Sequence, residues 1–370
     1  MSILLTALIF IVILAALVLV HELGHFLVAK WSGIRVDEFG LGFPPRLAHW
    51  RPRGSETTYS LNAIPFGGFV KIFGETGEGA DETTAPADRT RSFIAKPARI
   101  QIAVLAAGIV FNLIFAWLLV STGFMIGLPV PTDYATNAHL TNIQSTITSV
   151  DPGSPAAAAG LQTGDQIVGV TAGTTVGGVT ISDIQKFTAD HQGQAITITY
   201  RRGSTLAHTT LTPKFNASIN RAVIGVSLES IGFLQLGFFS ALGHGATLTW
   251  SLIQETAVGL GQFFGHLFVG KANLADVAGP VGIANLVGQA TALGAVYVIS
   301  FTAIISINLA LINLIPFPAL DGGRILFVLI EKLKGSPIKP AIGNTVNTVG
   351  FALLILLMLF VTYHDILRLI

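Results

Sequence analysis

Residues 3–29 read ILLTALIFIVILAALVLVHELGHFLVA, and this stretch decides the class of the protein. From 3 to 20, eighteen residues carry a single polar side chain, Thr6, and the apolar run resumes at Phe26, Leu27, Val28 and Ala29. At about 1.5 Å per helical residue, such a run spans a hydrocarbon core of about 30 Å. It predicts a first transmembrane helix over residues 1–30. A cleaved signal peptide is the competing explanation, but no Lys or Arg precedes the run, and the run outlasts a typical signal h-region.

Composition agrees with a membrane protein. Charged residues make up 11% of 370 and hydrophobic residues 51%, where a soluble domain carries about 25% charge. The formal net charge of +1, with no concentrated basic patch, makes no case for a nucleic-acid partner. There are no cysteines, so disulfides, thiolate metal sites and thiol nucleophiles are all excluded. Any metal must be held by His and carboxylate.

Three further apolar runs predict spans over 98–128, 295–324 (its apolar part ending near 317) and 346–367. Ten of the 21 Lys and Arg residues fall from Lys30 to Arg99, and Arg324, Lys332, Lys334 and Lys339 follow the third span. The positive-inside rule places both segments in the cytoplasm and the N-terminus outside.

Within the first loop, 31–97, the segment 59–73 alternates apolar and polar residues and breaks at Gly67-Gly68, which predicts a β-hairpin. The acidic, Gly-rich stretch 74–88 predicts a mobile loop. Residues 135–216 change character: short β-branched runs separated by Gly, Pro and Asp turns predict a small β-rich domain outside the cytoplasm. Residues 217–294 are expected to form interfacial, amphipathic helices. Within them, 233–269 is apolar but carries Gln235, His244, Glu255, Gln262 and His266.

The polar cluster in the first span is His21-Glu22-Leu23-Gly24-His25. Two imidazoles four residues apart share one helix face, as two ligands of one tetrahedral zinc must. Glu22 can take a proton from water at such a metal and return it to a leaving amine. Three ionisable groups inside a span cost roughly 2.5–3.5 kcal/mol each when charged at the helix centre, so function is the default explanation.

A third protein ligand is needed, and Asp321 is the candidate, in Asn313-Leu-Ile-Pro-Phe-Pro-Ala-Leu-Asp-Gly-Gly-Arg324. Pro316 and Pro318 should unwind the end of the third span and let Asp321 turn inward, with Gly322-Gly323 permitting close approach. Spacing alone leaves a second reading open: a helix terminus with a Pro-Gly turn and a capping Asp. Depth favours the first if the first and third spans run parallel, which in turn disfavours a further span over 233–269. Asn313 could direct its amide at an oxyanion, or cross-link helices. Asn112 and Asn308 are read mainly as cross-links.

Together these residues resemble the site-2 protease family of intramembrane metalloproteases, in particular the bacterial branch that cleaves anti-sigma factors. The resemblance also takes in Phe93-Ile-Ala-Lys96, Gly108-Ile-Val-Phe-Asn112 and Gly279-Pro-Val-Gly-Ile283, and so nearly the whole chain. It implies one zinc on His21, His25 and Asp321, Glu22 as general base and Asn313 assisting the transition state. It also implies that the hairpin accepts substrate as an added strand through Tyr59, Leu61, Ile64, Gly67, Gly68, Phe69 and Val70, which suits a helix that must be unwound before hydrolysis. Residues 158–170 resemble a PDZ domain, with Gly160, Leu161, Gly164 and Asp165 as its loop. Ile109, where the family usually has proline, and Gly42-Phe43-Pro44-Pro45 depart from the family pattern without touching a ligand position.

The expected architecture is a multi-pass α-helical membrane protein of about four transmembrane helices, with a membrane-associated β-hairpin on the cytoplasmic side and one inserted extracytoplasmic PDZ-like β/α domain. A bacterial inner or plasma membrane location follows, with the active site near the cytoplasmic face. Expected partners are the lipid bilayer and single-span transmembrane protein substrates. Two other functions compete: a metal- or proton-coupled transporter, which predicts repeated halves that the sequence lacks, and an inactive PDZ scaffold, which predicts loss of Glu22.

Overall fold

A computed structural model describes residues 3–75, 86–135, 140–203, 205–217, 220–271, 278–336, 338 and 340–369. The predicted loop 74–88 therefore lies largely outside the described residues. The chain opens with α1 (Ile3–Trp31), β1 (Val36–Trp50), β2 (Thr58–Ile72), the short α2 (Pro86–Arg89) and α3 (Ala98–Ile126). Next come β3 (Leu128–Pro131), β4 (Thr141–Val150), α4 (Pro155–Ala158), β5 (Gln166–Ala172), β6 (Thr175–Gly177) and α5 (Ile181–Asp190). After them run β7 (Ile196–Arg202), β8 (Thr205–Leu211), β9 (Lys214–Asn216), β10 (Arg221–Val223) and β11 (Val226–Leu234). The chain closes with α6 (Phe238–Phe268), α7 (Pro280–Leu293), α8 (Ala295–Leu314), α9 (Asp321–Lys334) and α10 (Pro340–Leu369). Two compact units result: Met1–Val120 with Gly245–Val287 and Phe301–Ile370, and Ser121–His244 with Gly288–Ser300.

Among the described residues, four helices are long and apolar enough to cross a membrane: Leu4–Trp31, Ala98–Ile126, Ala295–Leu314 and Ala341–Leu367. This matches the expected number. The bounds shift where backbone chemistry requires it. The second ends at Ile126 because Gly127 adopts φ +103°. The third stops at Leu314 rather than continuing to 324: with prolines at 316 and 318 the helix cannot run on, and Asp321 instead opens a separate helix, α9. Where 233–269 was expected to give interfacial segments, residues 238–268 form one continuous helix, α6, which is not among the four.

In the membrane unit, the end of α1 packs on the first loop through Ala29, Ile34, Val36, Ile72, Phe93, Val104, Leu105 and Val328, all buried. Helices α1 and α3 approach closely at Gly24, where a Cβ would come within 2.5 Å of the Ala107 carbonyl oxygen. Asp365 of α10 is buried and accepts a hydrogen bond from the Gly282 N–H, 2.7 Å away in the first turn of α7.

The predicted hairpin over 59–73 is corrected. Glu38 to Leu41 of β1 pair on one side with Thr58 to Leu61, running in the same direction, and on the other with Gly68 to Lys71, running in the opposite direction. The two arms of β2 are therefore not neighbours, because residues 38–41 lie between them. Further along β1, Arg46, Ala48, His49 and Trp50 pair with the outer side of the first arm. The spatial order is thus 46–50, 58–62, 38–41, 68–72. Gly67-Gly68 does lie where the chain leaves one arm for the other, but the arms are bridged rather than paired, and 68–72 forms an edge. Alternation in 59–73 could reveal the strands but not their partner.

The second unit is a mixed β/α domain with strand order β3-β11-β4-β5-β7-β8, and β6 beside β5. Its core comprises Ile147, Leu161, Ile167, Val170, Ile184, Phe187, Ile196 and Ile198 with their neighbours. The predicted boundary at 216 is too early. Residues 226–234, assigned from sequence to a helical region, form β11, an inner strand of the sheet between β3 and β4. Val226 and Leu228 alternate with exposed Ser227 and Glu229, the period-two pattern of a half-buried strand.

Candidate metal centre

His21 and His25 lie one turn apart near the end of α1, both more than nine-tenths buried. Asp321 starts α9, and Gly322 and Gly323 allow that start to pack against the carbonyls of Leu314 and Phe317, where any Cβ would clash. Ala319, in the left-handed region at φ +72°, makes the turn, and its N–H donates to Oδ1 of Asn347 on α10 at 3.3 Å. The turn thus brings the carboxylate back towards α1.

The three side chains converge. His21 Nε2 lies 3.0 Å from Asp321 Oδ2, His25 Nε2 3.4 Å from the same oxygen, and the two Nε2 atoms are 3.2 Å apart. A tetrahedral ion with bonds of about 2.0–2.2 Å requires ligand atoms about 3.3–3.6 Å apart, so the triangle has nearly the edges such an ion needs. Asp321 Oδ2 is buried and receives no hydrogen bond of good geometry from the described residues. His25 Nδ1 is 2.8 Å from the Val104 carbonyl oxygen, to which it must donate, leaving its Nε2 lone pair free. The residues present therefore fit a metal ion bound by two imidazoles and one carboxylate.

A cavity of about 380 Å³ opens on this triad. Glu22 and Asn313 line it, as do Gly67, Gly68, Phe69 and Val70 of the edge strand and Val18, Leu105 and Leu309 from the helices. Tyr59, Leu61 and Ile64, expected at the same surface, are not among the lining residues. They lie on the first arm of β2: 38–41 stand between Tyr59 and Leu61 and the edge strand, Ile64 pairs with Phe43, and Tyr59 joins the aromatic cluster of Phe26, Phe39 and Trp50.

Spacing did not reveal Glu75 and Arg324, which form an ion pair and both line the cavity. Arg324 lies one helical turn after Asp321, which is the one signal that could have pointed to it. Asn112, read mainly as a cross-link, contacts a candidate ligand directly: its amide is 3.1 Å from His21 Nδ1.

In the second unit, Gly160, Leu161, Gly164 and Asp165 form a turn between α4 and β5. Leu161 is in the core, and buried Asp165 receives Arg202 Nε at 2.7 Å, Arg202 Nη2 at 2.6 Å and the Gln162 N–H at 2.8 Å. Gly160 and Gly164 have φ of +77° and +91°. A pocket of this domain lies between α5 and residues 221–228, lined by Ile184, Gln185, Thr188, Arg221, Ile224 and Leu228.

Comparison with known proteins agrees with the geometry. The sequence model of Peptidase family M50 matches residues 9–357. A Clostridium perfringens protein named "Putative zinc metalloprotease" is 36% identical over 353 residues, covering 95% of this chain and 96% of its own. Protease RseP of Yersinia pestis is 30% identical across the full length of both chains, and regulator of sigma-E protease RseP of Salmonella typhimurium is 29% identical over 97% of this chain and 98% of its own. Matched along nearly all of its length and carrying a His-His-Asp triad beside membrane-length helices, the chain belongs to peptidase family M50 and is an intramembrane zinc-dependent endopeptidase.

Proposed function

We propose that one zinc ion is held by His21, His25 and Asp321, and that the substrate is a single-span membrane protein presented as an extended strand along residues 68–72. The observation that carries this is the meeting of three ligand atoms at tetrahedral spacing with the bare edge of a strand, in one cavity. Zinc bound there supplies a Lewis acid that polarises the scissile carbonyl and makes water more acidic. Glu22 accepts the water proton and passes it to the departing amine, since it is the cavity carboxylate left over once Asp321 binds metal and Glu75 pairs with Arg324. Asn313 offers its amide to the oxygen on which negative charge develops. The edge strand gives backbone partners to a segment whose own helical hydrogen bonds have opened.

The charge bias of the loops supports an external N-terminus, an external β/α domain and chemistry near the cytoplasmic face of a bacterial inner membrane. The domain then acts as a filter, admitting substrates whose external part has been trimmed; regulators of transcription such as anti-sigma factors are one such class. The decisive variant is Glu22→Gln. Purified Glu22→Gln should keep about one zinc per chain, as the ligand set requires, and lose cleavage of a single-span substrate by at least ~10³-fold; full activity in that variant would overturn the assignment.

A further inference from the structure

Val104, Gly108 and Asn112 recur at four-residue intervals on α3 and so form one stripe, which lies behind the two histidines. At the first position the Val104 carbonyl fixes the Nδ1 proton of His25. At the second, Gly108 leaves room for both rings: a Cβ there would lie 2.5 Å from His25 Nε2 and 2.8 Å from His21 Nε2. At the third, Asn112 is 0% exposed with its amide 3.1 Å from His21 Nδ1. Its backbone carbonyl accepts from Ser306 Oγ at 2.7 Å, tying this turn to α8.

The Asn112 amide nitrogen faces Nδ1, and Oδ1 has no hydrogen-bond partner among the described residues despite complete burial. Binding an ion through His21 Nε2 requires the proton on Nδ1, and two donors would then face each other. A half-turn of the amide exchanges its oxygen and nitrogen within the same volume, removing that conflict and giving Oδ1 a donor.

We propose that Asn112 is a positioning residue for the metal centre: its amide oxygen accepts the Nδ1 proton of His21 and so fixes the tautomer and ring orientation that leave Nε2 free for the ion. The two histidines are then held by the same device, a carbonyl-type oxygen on α3, supplied by the backbone for one and by a side chain for the other. This rests on the zinc site proposed above.

The test uses the full chain in detergent, stripped of metal and titrated with zinc against a chelating competitor. Asn112→Leu keeps the volume and removes the acceptor, and its zinc affinity should fall about 10–100-fold. Asn112→Asp can accept the same proton and should stay within about threefold of the parent. With cobalt(II) in place of zinc, the parent and Asn112→Asp should share one visible band shape, while Asn112→Leu differs. Metal-free thermal midpoints should agree within about 2 °C, because a cross-link alone would show its loss there. Zinc binding by Asn112→Leu equal to the parent, or equal losses in both variants, would overturn the proposal. If Asn112→Leu does not fold, Asn112→Asp decides: loss of zinc affinity in it counts against the role. Failure of the unmodified chain to bind zinc is a different result, and it would sink the zinc site itself.

Discussion

Gly68 backs directly onto Glu22: a Cβ on the glycine would stand 3.3 Å from the glutamate Cγ, and also 3.0 Å from Val18 Cγ1 and 3.1 Å from the Gly40 carbonyl oxygen. The edge strand can lie against the proposed base only because it carries no side chain at this point. Gly68→Ala must push either the strand or the carboxylate aside. A misplacement of even part of an ångström at a reacting group is expected to lower kcat/KM by about 10-fold or more. Zinc content should be unchanged, and a cleavage assay paired with metal analysis separates the two effects.

Gly108→Ala should act on the metal itself. The new methyl would enter the space where the two Nε2 atoms point, 2.5 and 2.8 Å away. Both rings would have to move, and overpacking of this kind costs about 1–3 kcal/mol. The expected outcome is a loss of zinc affinity of about 10–100-fold, the fold-change that such a cost converts to. Equilibrium dialysis reads it directly, and unaltered affinity would mean that the rings are not fixed where the structure has them.

Outside the membrane, Glu56 joins the end of α1 to the loop that precedes α3. Arg91 Nη2 lies 2.5 Å and Lys30 Nζ 2.9 Å from the same oxygen, Oε1. The Arg91 hydrogen bond, reinforced by Lys30, holds the Glu56 carboxyl down at about 2, against 4.5 ordinarily. A depressed carboxyl contributes stability that is fully present above its unfolded value and is lost as pH falls through the folded one. Between pH 4.5 and 2 the parent should therefore lose stability that Glu56→Gln lacks throughout. Thermal unfolding in detergent across that window should show the two curves converging towards acid, and parallel curves would refute the coupling.

Excision tests the external filter. β11 lies inside the sheet between β3 and β4, so a cut ending at 216 would strand a core element. Removing residues 141–230 takes out the domain while leaving β3 opposite residues 231–234. Untrimmed single-span substrates should then be cleaved at a rate close to that of trimmed ones. Persisting discrimination would place the filter elsewhere.

Much of the membrane architecture was legible because it depends on local chemistry. A long apolar run, two histidines at helical spacing and two prolines before an aspartate each carry their meaning within a few residues. What was not legible depends on chain crossings. Nothing in 59–73 indicates that residues 38–41 separate its two arms, and so sequence groups Tyr59, Leu61 and Ile64 with Gly68 although none of the three lines the cavity. The helical assignment of 226–234 failed for a related reason: those nine residues alternate as a strand does, but their partner lies some eighty residues earlier, between Thr141 and Val150. Asn112 was read as a cross-link because sequence cannot show that its neighbour is a ligand.

The segment 38–41 that keeps the arms of β2 apart begins only a few residues beyond the helix that carries His21, Glu22 and His25. Ile34 and Val36 on one side of it, and Ile72 at the far end of the edge strand, belong to the same buried core as Ala29 of that helix. The edge strand and Glu22 are consequently mounted on one packed core, so a substrate strand added to that edge, as proposed, would be measured against a ruler fixed to the base. On that proposal the bond that is cut is chosen by how far along the edge the substrate seats, and shifting its register by two residues should move the cleavage site by two.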